Sequence, residues 1–307
     1  MKRLALPLLA MILLLLPLAL PNMYYYDLVI RMAINAVIVL GLNLLIGFAG
    51  QVSLGHAGFF GIGAYASAVL PTHFGWHPVA ALLAGAVATA LLAALVAKPI
   101  FRLHGHYLAM ATLGLGIIIA IVIRNEAGYS GGPDGMAVPP LAIFGHELTG
   151  ERNWYWVFAA NLLVSVWFCR NLMDSPFGRA LRALHGSEVA AQVVGVDLAR
   201  YKMAIFVFSA FFASIMGSLT AHYVGFITPN MADFFHSIEL VTMVVVGGMA
   251  SVFGSVVGAV LLTALPQALA SFDGWETVAF GAILMLFMIF LPRGLVPTLA
   301  ARFGRGD

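Results

Sequence analysis

Residues Gly47–Leu70 read GFAGQVSLGHAGFFGIGAYASAVL. The stretch is apolar enough for a bilayer, yet it carries glycine at 47, 50, 55, 58, 61 and 63, with Gln51, Ser53 and His56 among them. Closely spaced glycines remove side-chain bulk, so neighbouring backbones approach or the helix breaks. Polar side chains at membrane depth cost free energy unless they face protein or a wet cavity. Two readings follow: the lining of a permeation path, or a helix–helix seam with a few satisfied polar groups.

The remaining sequence agrees on the class. Of 307 residues, 62% are hydrophobic and 9% are charged, against about 25% charged in ordinary soluble domains, and the mean hydropathy is +0.99. An all-α polytopic membrane protein forming one domain over residues 1–307 is expected. Ten apolar runs lie at about 4–20, 28–47, 50–70, 79–97, 106–123, 154–169, 203–222, 238–249, 252–270 and 277–291. The third is broken by glycine and the eighth is short, so either is a candidate for a re-entrant or discontinuous segment. Residues 1–21 imitate a secretory signal, but no small-x-small pattern precedes Pro21, and a retained first span is expected. One cysteine, Cys169, excludes an intrachain disulfide and a cysteine metal cluster.

Ten crossings with both termini cytoplasmic put twelve of the fifteen Lys and Arg residues inside, leaving Arg31, Arg124 and Arg152 outside, as the positive-inside rule expects. The external loop 124–153 contains Gly131-Gly132-Pro133-Asp134-Gly135. The cytoplasmic loop 170–202 is organised. Ser175-Pro176 opens a helix, Gly186 ends it, and Ser187 caps a very short second helix with Glu188 at its N-terminus. Ala190, Ala191, Val193 and Val194 form that helix's apolar body, Gly195 stops it, and Asp197 caps a third helix. A short capped helix with small residues exposed reads as a docking knob for a partner; the alternative is a loop resting on anionic lipid through its arginines.

Collinear motifs then carry a resemblance. GLNLLIGFAGQVSLGHAGFFGIGAY (Gly41–Tyr65), HGHYLAMATLG (His104–Gly114), GGPDGM (Gly131–Met136), SPFGRALRAL (Ser175–Leu184) and SIELVTMVVVGGMASVFGSVVGA (Ser237–Ala259) resemble LivM-type membrane permease subunits of branched-chain amino acid ABC importers, in the hydrophobic amino acid uptake family. The resemblance implies a paralogous second permease chain, two cytoplasmic ATPase subunits, a periplasmic binding protein and a bacterial inner-membrane location. It implies that Ser187, Glu188, Ala190, Ala191 and Gly195 couple to an ATPase, and that Gly131–Gly135 shapes the outer mouth or a docking surface for the binding protein. The candidate substrate path comprises Gly50, Gln51, Ser53, Gly55, His56 and Phe59, with Gly247 and Gly248 from a second glycine-broken segment. Related permeases carry urea, short amides or aromatic acids, so the machine is better defined than its cargo.

No G-x-x-x-x-G-K-[ST] occurs, so this chain is expected to bind no cofactor, ATP being used by partner chains, and it is not expected to be an enzyme. No metal site and no nucleic-acid partner are expected. An ion-coupled carrier would need buried ionisable groups; the candidates are Glu239, expected to hydrogen-bond a neighbouring helix end, and His56. Gly128-Tyr129-Ser130-Gly131-Gly132 fits the nucleophile elbow G-x-S-x-G, but a membrane run precedes it and turn residues follow. The histidine pair His104-x-His106 reads as an interface feature.

Overall fold

A computed structural model describes residues 5–103, 105–143, 146–269, 276–291 and 294–303. His104, and with it the histidine pair, lies outside the described residues. The chain is a helical bundle. Its helices are α1 (Ala5–Ala19), α2 (Met23–Asn43), α3 (His56–Phe74), α4 (Pro78–Ile100), α5 (His106–Asn125) and α6 (Ala127–Ser130). They continue as α7 (Glu151–Asp174), α8 (Pro176–Gly186), α9 (Glu188–Val193), α10 (Leu198–Val224), α11 (Phe234–Gly247), α12 (Val252–Leu269), α13 (Glu276–Phe290) and α14 (Leu295–Phe303). A helix occupies each of the ten expected apolar runs. Among the described residues, six helical stretches are long and apolar enough to cross a membrane, and α1 and α11 are shorter, at 15 and 14 residues. The chain is thus an all-α polytopic membrane protein, with two minor departures: two-residue antiparallel pairings of Met136–Ala137 with Phe226–Ile227 and of Ala142–Ile143 with His146–Glu147.

The glycine-rich stretch is broken where the sequence suggests. A π-helical turn, Leu44–Phe48, ends the α2 run, Gly50 turns with φ +66°, and regular helix resumes only at His56. From there α3 lies against α10 at glycine distance. A Cβ on Gly63 would collide with the Ser214 backbone, and one on Gly217 with the Phe60 carbonyl. Ser218 donates to the Gly63 carbonyl at 2.8 Å across this seam, and Thr89 of α4 donates to Ser214 at 3.0 Å. Helices α3, α4 and α10 therefore form one tightly packed layer, while α2 packs on α7, α10, α11 and α12.

A second break, Gly248–Ser251, separates α11 from α12. Asn43, 1% exposed, closes it. Its amide nitrogen shares two N–H groups among the Gly248 carbonyl (3.3 Å), the Ser251 carbonyl (3.0 Å) and the Ser255 hydroxyl (2.6 Å). Its oxygen accepts from the Ala250 N–H at 3.0 Å. Ala250 has φ +60° and is the non-glycine residue held in the left-handed region among those described; the four contacts of Asn43 hold it there. Gly47 is needed below, because a Cβ there would strike both Asn43 and Ala250.

Polar contacts in membrane bundles average about 0.6 kcal/mol, so the contacts of Asn43 together contribute about 2 kcal/mol. An orphaned Ala250 N–H adds about 1–2 kcal/mol. Asn43→Ala is expected to destabilise the detergent-solubilised chain by about 3–4 kcal/mol, read as a lowered Tm by thermal denaturation.

Candidate functional site

Two features stand at opposite ends of the bundle: a small helical unit at residues 175–197 and a cavity at the end bearing the long loop. The helical unit is smaller than the expected loop 170–202, because α7 runs on to Asp174 and α10 starts at Leu198.

Its caps are the ones the sequence suggests. Ser175 accepts from Gly178 N, Ser187 from Ala190 N at 3.2 Å, and Asp197 from Arg200 N at 3.1 Å. Gly195, with φ +83°, ends α9, its N–H bonding the Gln192 carbonyl at 2.9 Å. Two side chains depart from expectation. Ala191 is 2% exposed and seats α9 on the bundle rather than facing outward. Glu188 reaches Nζ of Lys202 at 2.7 Å, tying α9 to α10 through a lysine that is itself buried. The outward face is instead Ala190 with Val189, Val193 and Val194, the three valines 72–82% exposed.

Seven of the eight expected path residues are buried, and Gly50 is exposed. His56 has no exposed surface; its Nδ1 sits 2.9 Å from the Ser53 hydroxyl and its Nε2 2.6 Å from that of Ser209. Both ring nitrogens are thus engaged between α3 and α10. Phe59 is fully buried against Phe206. Gln51 folds back on the Ala49 carbonyl at 3.1 Å, Gly55 leaves no room for a Cβ beside the Thr112 carbonyl, and Gly247 leaves none beside that of Gly254. Gly50 faces His185 of α8, and Gly248 belongs to the Asn43 contact. None of these eight residues lines the cavity. Of the polar side chains among them, His56 is satisfied from α10, while Gln51 and Ser53 find partners within their own segment.

Gly131–Gly135 forms a rigid turn. Gly131, Gly132 and Gly135 all have positive φ. The Ser130 hydroxyl is buried and donates to the Ile123 carbonyl at 2.6 Å, while accepting from Gly132 N at 3.1 Å. It caps a turn; it is not presented as a nucleophile. Pro133 and Asp134 complete a 3₁₀ turn, and the following residues pair with the segment after α10.

The cavity, of about 660 Å³, opens between α2, α10, α11, α12 and α13. Arg31 and Asn35 reach it from α2, Glu239 and Thr242 from α11, and Thr263 and Gln267 from α12. Glu239 is 60% exposed and meets His236 on its own helix at 3.5 Å, rather than a neighbouring helix end. Sequence reasoning singled out Glu239 alone among these residues. The others come from separate helices with no shared local signal, although Asn35 and Thr263, bonded to each other at 2.9 Å, are polar positions inside apolar runs. Among the described residues, no group of three or more His, Cys, Asp or Glu is placed to hold a metal ion.

A family model described as "Branched-chain amino acid transport system / permease component" matches residues 24–292. The chain belongs to this family. The permease is 33% identical over 293 residues to the high-affinity branched-chain amino acid transport system permease protein LivM of Escherichia coli strain K12, covering 86% of this chain and 68% of that one. LivM of Salmonella typhimurium strain LT2 is 32% identical over 295 residues, covering 88% and 69%. The permease protein LivH of Escherichia coli K12 is 25% identical over 284 residues, covering 85% and 90%. No solved structure matches the permease.

The α9–α10 ion pair generates a prediction. Glu188→Gln strands a buried ammonium, whereas Glu188 itself keeps solvent contact. A loss of about 1–3 kcal/mol is expected. The double variant Glu188→Leu, Lys202→Met recovers most of it in a thermal-unfolding double-mutant cycle.

Proposed function

We propose that the permease is one of two membrane subunits of an ATP-driven importer of branched-chain amino acids in the bacterial cytoplasmic membrane. The match along residues 24–292 to a transport-permease family carries this reading. A paralogous permease completes the pathway; the similarity of this chain to both LivM and LivH of one organism supports such a pairing. Ten crossings with cytoplasmic termini fit the distribution of Lys and Arg. That orientation puts α8 and α9 inside the cell, with the cavity and the Gly131–Gly135 turn outside.

Two partner ATPases bind and hydrolyse ATP, and a periplasmic binding protein delivers the substrate near the Gly131–Gly135 turn. The valine face of α9 is the coupling surface. Exposed apolar side chains on a short, doubly capped helix favour a protein groove. Force entering at α9 passes through Glu188–Lys202 into α10, a continuous helix of 27 residues that reaches the cavity at Thr220. The glycine seam makes α3 and α4 move with α10, because their backbones leave no slack.

The test is reconstitution of the permease with its partner permease, ATPases and binding protein in proteoliposomes. ATP-dependent uptake of labelled leucine is expected. A stable complex that ignores leucine would shift the cargo to urea, amides or aromatic acids. Uptake abolished by an ionophore and indifferent to the ATPases would make the chain an ion-coupled carrier. Val193→Asp is expected to cut uptake and substrate-stimulated ATP hydrolysis at least tenfold without loss of folded protein; wild-type rates in that variant would refute the coupling surface. Ser130→Ala should retain transport.

A further inference from the structure

The cavity is graded from a charged rim to an apolar floor. Arg31 on α2 and Glu239 on α11 stand at the rim. One helical turn further along the same helices lie Asn35 and Met243, and beside them Ile34 and Leu262, the three apolar side chains all buried. Asn35 is twelve residues into α2, roughly 18 Å along it at 1.5 Å per residue, so polar groups follow the cavity deep into the bundle. Such placement is expected of groups facing water or a polar solute, not lipid.

The rim charges are held in fixed roles. Arg31 gives its Nε–H to Asp27 at 2.7 Å, and Tyr223 anchors the other Asp27 oxygen at 2.7 Å. The guanidinium is thereby oriented, while its two terminal amino groups make no hydrogen bond among the described residues. Asp233 is already engaged, accepting from Phe234 N at 2.7 Å. Glu239, 60% exposed and bonded through one oxygen to His236 at 3.5 Å, keeps its other oxygen open to the cavity. A cavity of about 660 Å³ falls within the range of about 300–1,000 Å³ typical of small-molecule sites.

We propose that this cavity is a transit site for a free amino acid with an aliphatic side chain. The solute's carboxylate meets Arg31, its ammonium meets Glu239, and its side chain rests on Ile34, Met243 and Leu262. This rests on the importer reading above and assigns residues to the solute within it. Both charges are more than half exposed, so each attraction is screened and the site is weak, as release toward the cytoplasm requires.

The test uses the complete transporter in nanodiscs with Thr242→Cys, a position lining the cavity; the native Cys169 is buried. Neutral iodoacetamide should modify Cys at 242. Leucine at about twice its dissociation constant should slow that reaction about threefold by occupancy. Neither 4-methylpentanoate, lacking the ammonium, nor isoamylamine, lacking the carboxylate, should protect comparably. Arg31→Gln or Glu239→Gln should bring the leucine protection ratio to about one. Equal protection by all three solutes, no protection by leucine, or no modification at all because a partner chain seals the cavity would each overturn the proposal. Leucine uptake by the wild-type complex, measured in parallel, tests the importer reading separately: uptake without protection removes this site and leaves the function standing.

Discussion

Every backbone polar group inside a membrane bundle must find a partner within the protein, and that constraint governs this molecule wherever its helices break. The two breaks, Gly50–Gly55 and Gly248–Ser251, leave backbone amides that no helix satisfies. Side chains from distant segments satisfy them. Thr112 accepts from Leu54 N at 3.1 Å, Ser237 from Ala57 N at 3.0 Å, and Asn43 from Ala250 N at 3.0 Å. Gln51 N turns back to the Leu45 carbonyl at 3.0 Å. Irregular backbone is therefore hydrogen-bonded into the bundle, although Gly50, Val52, Met249 and Ala250 are themselves exposed.

From that bonding follows the separation of scaffold and cavity. Glycines at 47, 63, 217 and 247 bring backbones so close that a methyl group would collide, and this closeness excludes solute from the same places. Space opens instead beyond these seams, between α2, α10, α11, α12 and α13. Helix α10 joins the two regimes: it carries Lys202 beside the short helix α9, Ser209 bonded to His56, and Thr220 at the cavity wall.

What was legible in the sequence was local. The caps at Ser175, Ser187 and Asp197 and the left-handed stop at Gly195 are set by neighbours within a few residues and stand as read; of the ten apolar runs, six carry helices long and apolar enough to cross a membrane among the described residues. The glycine-rich stretch was legible as broken but not as closed, because the partners that close it lie far along the chain: Ser209 is 153 residues from His56, and Ser255 is 212 from Asn43. Glu188 likewise resembled a surface residue until α10 supplied its partner, 14 positions on. The cavity left no motif, since four or more helices each lend it one or two ordinary polar residues.

The most direct measurement is hydrogen–deuterium exchange of the assembled transporter in nanodiscs, followed in peptides spanning residues 49–57 and 248–252. The side-chain and backbone bonds across the breaks predict that the amides of Gln51, Leu54, Ala57 and Ala250 exchange as slowly as those in the middle of α10. Exchange as fast as at Gly150, at the exposed start of α7, would mean that water reaches the breaks, and would return the glycine-rich stretch to the role of pathway lining.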